Sequence, residues 1–205
     1  DNKPNLPREH SASNQKMNEY HWLTRTYFFF FLLRQYSVST TQKLLKFANS
    51  FSIPVHVTTQ ISAKLGDTVP ELASLLKDPP HDKTLFSMCI PSVMKDVPKQ
   101  SSIALVGIEA HICITQTAID LRNEGHHVFV IADGVSSANK GEVYIALERL
   151  RSESGITVTT SESWMYQCVG DAKHPDFRKL LDIVKSYQNE TKATLDVLPP
   201  GPGLQ

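Results

Sequence analysis

The chain has 205 residues, which is enough for one domain with a full hydrophobic core but tight for two. Its 21 basic and 21 acidic side chains balance, so we expect no nucleic-acid or membrane partner, and a small molecule or another subunit is favoured. Three cysteines are an odd and sparse set for a secreted disulfide framework, and they predict a reducing, cytoplasmic location.

The amino-terminal part of the chain changes character at residue 27. The polar, proline-containing start shows no periodicity and predicts a disordered arm over residues 1–26. Residues 27–33 form an apolar, aromatic-rich block that predicts a strand, and they fall far short of the roughly 18 apolar residues of a membrane-spanning helix. A helix is predicted over residues 39–51, which place apolar side chains on one face, and a second strand over residues 53–59.

Short elements and one long loop come next. Thr68 and Glu71 form a capping-box pattern, which predicts a short helix that ends near Lys77. Residues 78–88 are rich in turn-forming residues and are predicted to form a loop, a kind of segment that often carries function. Another short helix is predicted over residues 91–96.

The chain is organised around an apolar run at residues 103–108, which predicts a strand buried on both faces. A helix follows at once and ends at Gly125, so Cys113 lies in its first turn. The unpaired backbone N–H groups of a helix start favour a thiolate. Most free cysteines, however, are small buried hydrophobic side chains, and this pattern alone leaves both interpretations of Cys113 open.

The remaining elements continue the alternation of strands and helices. We predict a strand at 127–132 closed by a turn at Asp133 and Gly134, a helix at 137–151, a strand at 155–160, helices at 161–169 and 175–187, and a flexible tail at 189–205.

This alternation predicts one three-layer α/β/α domain over residues 27–188, with a central, mostly parallel, Rossmann-like sheet. In such folds ligands bind beyond the carboxyl ends of the strands, where Gln60, Glu109, Cys113 and Asp133 would converge. Asp133 is a candidate acid there, although turn and cap chemistry explains it better.

Cofactor and metal sites have little support in the sequence. Gly107 stands in no G-x-G-x-x-G pattern, so no dinucleotide is expected. Glu109 with His111, and His126 with His127, lack the tight spacing of metal ligands. We therefore expect neither a cofactor nor a metal.

Several separated motifs carry a resemblance to a known family. The words GIEAHICI (107–114), VIADGVSS (130–137), GITVTTSE (155–162) and VGDAKHPDF (169–177) resemble the isochorismatase-like cysteine hydrolases, and in particular the eukaryotic isochorismatase domain-containing proteins. The resemblance covers roughly residues 36–187 and implies the isochorismatase-like fold.

The resemblance also implies a chemistry, namely cleavage of small amides or related substrates by an Asp, Lys and Cys triad. It places the nucleophile at Cys113 and, through a K-x-x-F-S word, the lysine at Lys83, which would hold the thiolate by charge. A cis peptide is expected just before Glu109, with the backbone N–H groups of Glu109 and Cys113 forming an oxyanion hole. Gln60 and Phe86 are expected to line the substrate pocket beside Glu109, and a homo-oligomer is expected.

The amino end departs from the family pattern. The family's first strand ends in Asp-x-Gln, whereas this chain has no aspartate between Asp1 and Asp67, so the first strand is atypical. One hypothesis is a cysteine hydrolase, impaired unless Glu19 or His21 supplies the base. The alternative is a catalytically inactive homologue that binds a ligand or oligomerises.

Overall fold

The computed structural model describes residues 34–197. The predicted arm, the predicted strand at 27–33 and the end of the predicted tail lie outside these residues. The described strands are β1 (Thr58–Gln60), β2 (His81–Lys83), β3 (Ser102–Ile108), β4 (His127–Ser136) and β5 (Ile156–Thr159). The described helices are α1 (Arg34–Ser50), α2 (Ser62–Leu65), α3 (Pro70–Ala73), α4 (Pro91–Met94), a π-helical turn (Ala110–Ile114), α5 (Thr115–Asn123), α6 (Lys140–Ser152), α7 (Ser161–Val169), α8 (Phe177–Ser186) and α9 (Gln188–Val197).

Every strand pairing among the described residues is parallel. β3, β4 and β5 form one sheet in that order, and β1 pairs with β2 in a separate two-stranded sheet. Each parallel connection passes through helical segments, which is the arrangement that the alternation in the sequence predicts.

β3 divides its side chains between two layers of helices. Ile103 and Leu105 pack in a cluster with α5 and α6, while Ala104 and Val106 pack in a second cluster with α1, α7 and α8. Both faces of the strand are therefore buried, which is why its sequence is almost uninterrupted in apolar residues. The predicted three-layer α/β/α fold is confirmed.

β4 has ten residues, three more than the seven residues of β3, its partner in the sheet. Leu105 pairs with Val130, and Gly107 pairs with Val135. Between these two pairs β3 advances by two residues and β4 by five. The surplus is a β-bulge, and it lets the two backbones approach closely. A Cβ atom on Gly134 would lie 2.7 Å from Cγ1 of Val106, so a side chain has no room there.

The bulge corrects the prediction that Asp133 and Gly134 close this strand. β4 runs on to Ser136. The Asp-Gly pair predicts a turn because it is common in turns, but a bulge uses the same two residues without ending the strand.

The strand predicted over residues 53–59 is shorter in the structure, where β1 spans only Thr58–Gln60. Pro54 has no backbone N–H to donate, which limits strand pairing before it. β2 lies inside the segment predicted as a loop, where His81 N donates to Val57 O at 2.8 Å. Its three residues are polar, so no apolar pattern marks them.

The capping box is a further correction. α3 begins at Pro70 with Val69 as its N-cap, and it ends at Ala73 rather than near Lys77. Thr68 is therefore one residue too early to cap the helix, and its buried Oγ1 has no hydrogen-bond partner among the described residues.

The prediction of a flexible tail is wrong for residues 189–197, which belong to α9. This helix packs on α1 through a polar contact, because Nζ of Lys43 donates to Oγ1 of Thr191 at 2.7 Å. Lys43 is 0% exposed, and its burial lowers the pKa of the ammonium, against the opposing charges of Asp133 and Glu162. Helix α9 thus supplies a partner to a buried cation.

We expect the substitution Thr191→Val to lower the free energy of unfolding by about 1–3 kcal/mol, because the buried ammonium of Lys43 loses an acceptor. Urea unfolding followed by circular dichroism measures this change. Thr191→Ser keeps the hydroxyl and should lose only about 0.8 kcal/mol, the contribution of one buried methyl group. Equal losses in the two variants would contradict this role.

Candidate active site

Cys113 follows the carboxyl end of the central strand. β3 ends at Ile108, the Ile108–Glu109 peptide is cis as expected, and the chain then makes the π-helical turn before α5. The sequence predicts an ordinary α-helical first turn here. In the structure Ile114 N instead donates to Glu109 O at 3.2 Å, a spacing of five residues. Such wide turns are frequent at functional sites.

The cysteine itself is largely enclosed. Cys113 is 6% exposed and packs with Ala110 and Ile114 in the core cluster on one face of the sheet. The thiol therefore lies at the edge of the core, just after the end of the central strand.

Lys83 lies at the carboxyl end of β2 and is 5% exposed. Its Nζ donates to Oε1 of Gln60 at 2.5 Å, to the carbonyl of Leu85 at 2.6 Å and to the carbonyl of Phe86 at 3.0 Å. All three acceptors are uncharged. The loop after β2 is thus wrapped around the buried end of the lysine side chain, which gives Nζ a fixed position in a site with little water.

Gln60 fastens this loop from the neighbouring strand. It is the register partner of Lys83, and its Nε2 also donates to the carbonyl of Thr84 at 2.8 Å. Both ends of the side-chain amide therefore contact the loop. The prediction that Gln60 lines the substrate pocket stays a prediction, and the contacts give it a positioning role that the sequence did not reveal.

Phe86 and its neighbour Leu85 extend from the same loop. Phe86 is 52% exposed and Leu85 is 59% exposed, although their carbonyl groups point inward to Lys83. The proposed contact of Phe86 with substrate stays a prediction. An apolar pair held at the rim by an inward-facing backbone could cover a bound ligand.

Asp82 braces the start of this region. Its Oδ1 accepts from the backbone N of Ser62 and from Oγ1 of Thr59, each at 2.9 Å. These hydrogen bonds, that from the Ser62 backbone first and that from Thr59 next, lower the pKa of the Asp82 carboxyl. This contact leaves no signal in the sequence, because nothing in the spacing links the three residues.

Thr117 joins the lysine loop to the cysteine turn. Its fully buried hydroxyl donates to the carbonyl of Cys113 at 2.7 Å and accepts from the backbone N of Met88 at 3.1 Å. Met88 ends the segment that begins at Lys83, so one side chain holds the two predicted catalytic segments together. The spacing in the sequence is compatible with the bond to Cys113, because a threonine in a helix can donate to the carbonyl four residues before it.

Glu109 fastens the cysteine turn on its other side. Its Oε2 accepts from the backbone N of Ala138 at 2.9 Å and lies 3.8 Å from Nδ1 of His111. The hydroxyl of Ser137 accepts from Ala110 N and is 3.0 Å from the same His111 nitrogen. The predicted substrate contact of Glu109 stays a prediction. These bonds connect the end of β4 to the turn that bears Cys113.

Asp133 is not part of this arrangement. It is 1% exposed, its Oδ1 accepts from Ser161 N at 2.7 Å, and its Oδ2 accepts from the Ser161 hydroxyl. The carboxylate therefore holds the first residue of α7. Asp133 lies in the bulged part of β4, and not in the turn that the sequence predicts.

None of Cys89, Cys113 and Cys168 forms a disulfide bond. Burial raises the pKa of the Cys168 thiol, whose Sγ also donates to the carbonyl of Trp164 at 3.0 Å. Cys168 is therefore a poor nucleophile.

In residues 34–197, no three or more His, Cys, Asp or Glu side chains are grouped so as to hold a metal ion. No helix in this part of the chain is both long and apolar enough to cross a membrane.

The described strands and helices form a parallel three-layer α/β/α fold of the Rossmann-like class, with Lys83 at the end of β2 and Cys113 after the end of β3. The Isochorismatase domain family matches residues 33–163, well over half of the chain. The chain belongs to the isochorismatase family of hydrolases, and the resemblance inferred from its motifs is confirmed.

Similar proteins share most of the described chain. The secreted isochorismatase effector Isc1 of Phytophthora sojae is 37% identical over 155 residues, which cover 72% of this chain and 73% of Isc1. Isochorismatase domain-containing protein 1 of Danio rerio is 40% identical over 151 residues, which cover 72% of this chain. The match spans about half, 53%, of the Danio protein.

A solved structure gives the same result for the fold. The structure of MAR1 ribonuclease from Caenorhabditis elegans superposes with a TM-score of 0.73 at 31% sequence identity. The superposition covers 91% of this chain and 96% of that chain.

Proposed function

We propose that the chain is a cysteine hydrolase in which Cys113 attacks a small amide or related substrate and Lys83 holds the thiolate by charge. The observation that carries this proposal is the pair of hydrogen bonds at Thr117, from Met88 N and to Cys113 O. These bonds tie the loop that wraps the buried Lys83 to the turn that bears the nucleophile. A buried cation fixed near a thiol is a recognised way to activate it.

The proposed reaction has two stages. The Cys113 sulfur bonds to the substrate carbonyl carbon, and the resulting oxyanion accepts hydrogen bonds from the backbone N–H groups of Glu109 and Cys113. Collapse of this intermediate breaks the C–N bond, and the departing amine must take up a proton. Water then hydrolyses the thioester and restores the thiol.

The proton for the departing amine is the weak point of the proposed reaction. The family aspartate would take the thiol proton and deliver it, and this chain has no aspartate between Asp1 and Asp67. Lys83 and the helix start favour attack by an ionised thiol, but they do not replace the acid. We therefore propose an impaired hydrolase that stalls when the intermediate collapses.

The missing aspartate equally favours a second function, that of an inactive homologue that binds a small carbonyl ligand or forms oligomers. A cytoplasmic location and a homo-oligomer belong to both proposals. The C. elegans neighbour is described as a ribonuclease. The balance of 21 basic and 21 acidic side chains gives RNA binding by this chain no electrostatic support.

Limiting iodoacetamide tests the assignment of the nucleophile. We expect Cys113 to be alkylated first and Cys168 last, because burial raises the pKa of the Cys168 thiol. Peptide mapping by mass spectrometry of the native full chain measures the order. Cys113→Ser is the control, since it should remove the fast-reacting site without accelerating the others. Preferential labelling of Cys89 or Cys168 would overturn the assignment.

A further inference from the structure

A second cavity lies at the opposite end of the small sheet from Lys83. β1 and β2 are parallel, so Gln60 and Lys83 mark their carboxyl ends while Thr58 and His81 mark their amino ends. The cavity opens at the amino ends and has a volume of about 620 Å³. This size is within the range of small-molecule sites.

Three separate parts of the chain form the wall of this cavity. They are the connection from α1 into β1, the connection from α3 into β2, and Asp96 just after α4. Part of the wall is apolar and includes Ile53, Leu75 and Leu76. Such a surface can bury the body of a small organic molecule.

Another part of the wall carries titratable groups. His56 and His81 line the cavity together with Asp78 and Asp96, and these residues come from three separate parts of the chain. Asp78 and His81 come from the turn-rich segment whose function the sequence left open. The convergence of two imidazoles and two carboxylates on one cavity is not needed to build the fold.

The charges in the cavity are unequal. Burial lowers the pKa of His56, while Asp96 raises it, His81 lowers it and Asp78 raises it. The ring of His56 is therefore mainly uncharged at neutral pH and leaves the negative potential of the two carboxylates in place.

Two lysines also bear on this potential. Lys77 lines the exposed rim, and Nζ of Lys95 lies 3.9 Å from Oδ2 of Asp96. The side chains of Lys95 and Asp96 are 65% and 59% exposed, so water screens this pair strongly. Among the side chains that line the cavity, the two carboxylates therefore outnumber the one lysine, Lys77.

We propose that this cavity is a second ligand site that binds a small organic cation with a flat apolar body. The ammonium or amidinium group would lie among His56, Asp78 and Asp96. The apolar body would pack against Ile53, Leu75 and Leu76. This site lies at the opposite end of β2 from Lys83, and neither Lys83 nor Cys113 lines it, so it stands whether or not the chain is a hydrolase.

Benzamidine is a suitable probe, because it combines a flat ring with a permanently protonated amidinium group. We expect it to shift the imidazole NMR signals of His56 and His81 in the labelled full chain. Benzamide has the same shape but no charge, and benzoate has the same shape but a negative charge. Both should bind at least tenfold more weakly than benzamidine. Equal binding of the three compounds, or no shift at either histidine, would overturn the proposal.

Matched variants locate the site. Asp78→Asn with Asp96→Asn should weaken benzamidine at least tenfold, whereas Asp67→Asn with Asp182→Asn removes two exposed carboxylates that do not line the cavity and should change little. Prior alkylation of Cys113 should leave benzamidine binding unchanged. Equal weakening in both double variants would show general charge attraction only, and loss of binding on alkylation would place the probe at the cysteine; either result contradicts the proposal.

Discussion

Replacing residues 1–33 with a family first strand that ends in Asp-x-Gln should raise amide hydrolysis by about 10²–10⁴-fold. This range is the contribution of a positioned general acid and base. The parent chain should bind small carbonyl compounds and form a covalent adduct with aldehydes, since attack by Cys113 needs only the ionised thiol. Single-turnover and steady-state assays with nicotinamide as substrate separate attack from turnover.

The control for this graft is the same chimera with asparagine in place of the new aspartate. It keeps the shape of the strand and should be as slow as the parent. The proposal of an impaired site fails if the parent chain already turns over on the order of 10 times per second, a typical enzymic rate, because another residue must then act as the base.

Lys83→Met should slow the alkylation of Cys113 at pH 7 by about tenfold, which corresponds to about 1.4 kcal/mol. The reason is that the variant removes the buried positive charge proposed to favour the thiolate. It also removes the donor to the carbonyls of Leu85 and Phe86 and to Gln60, so the free energy of unfolding should fall by about 1–3 kcal/mol.

The pH profile of the alkylation rate separates these two effects. Loss of the charge moves the whole profile to higher pH, whereas a loosened loop lowers or raises the rate equally at all pH values. Lys64→Met, which removes an exposed lysine, is the matched control and should leave the profile in place. An unshifted profile in Lys83→Met would contradict the proposed role of the lysine.

The sequence predicted the parts of the fold that depend on apolar burial. The run at residues 103–108 is buried on both faces, because helices cover both sides of the sheet, and the position of Cys113 after this strand follows directly. Long helices such as α1 and α6 were found for the same reason. Periodic burial leaves a pattern that can be recognised in the sequence alone.

The features that the sequence did not predict have a different origin, because polar contacts determine them. β2 is held by backbone pairing, and α9 is held partly by the bond from Lys43 to Thr191. Thr117 and Asp133 acquire their roles from partners that lie 28 or 29 residues away. No periodicity reports such contacts, because a polar side chain finds its partner only after the chain has folded.

The surplus of residues in β4 also determines which deletions the protein could tolerate. Side chains along a strand alternate between faces, so losing one residue between 131 and 134 would reverse the alternation of every later residue in that strand. Ser137, the residue directly after the strand, would then turn away from Ala110 N, although the earlier pairing of β4 with β3 and β5 would be unchanged. The sheet would survive such a shortening while the cysteine turn lost its support, so the number of residues in this stretch should be constrained as strictly as the identities of Asp133 and Gly134.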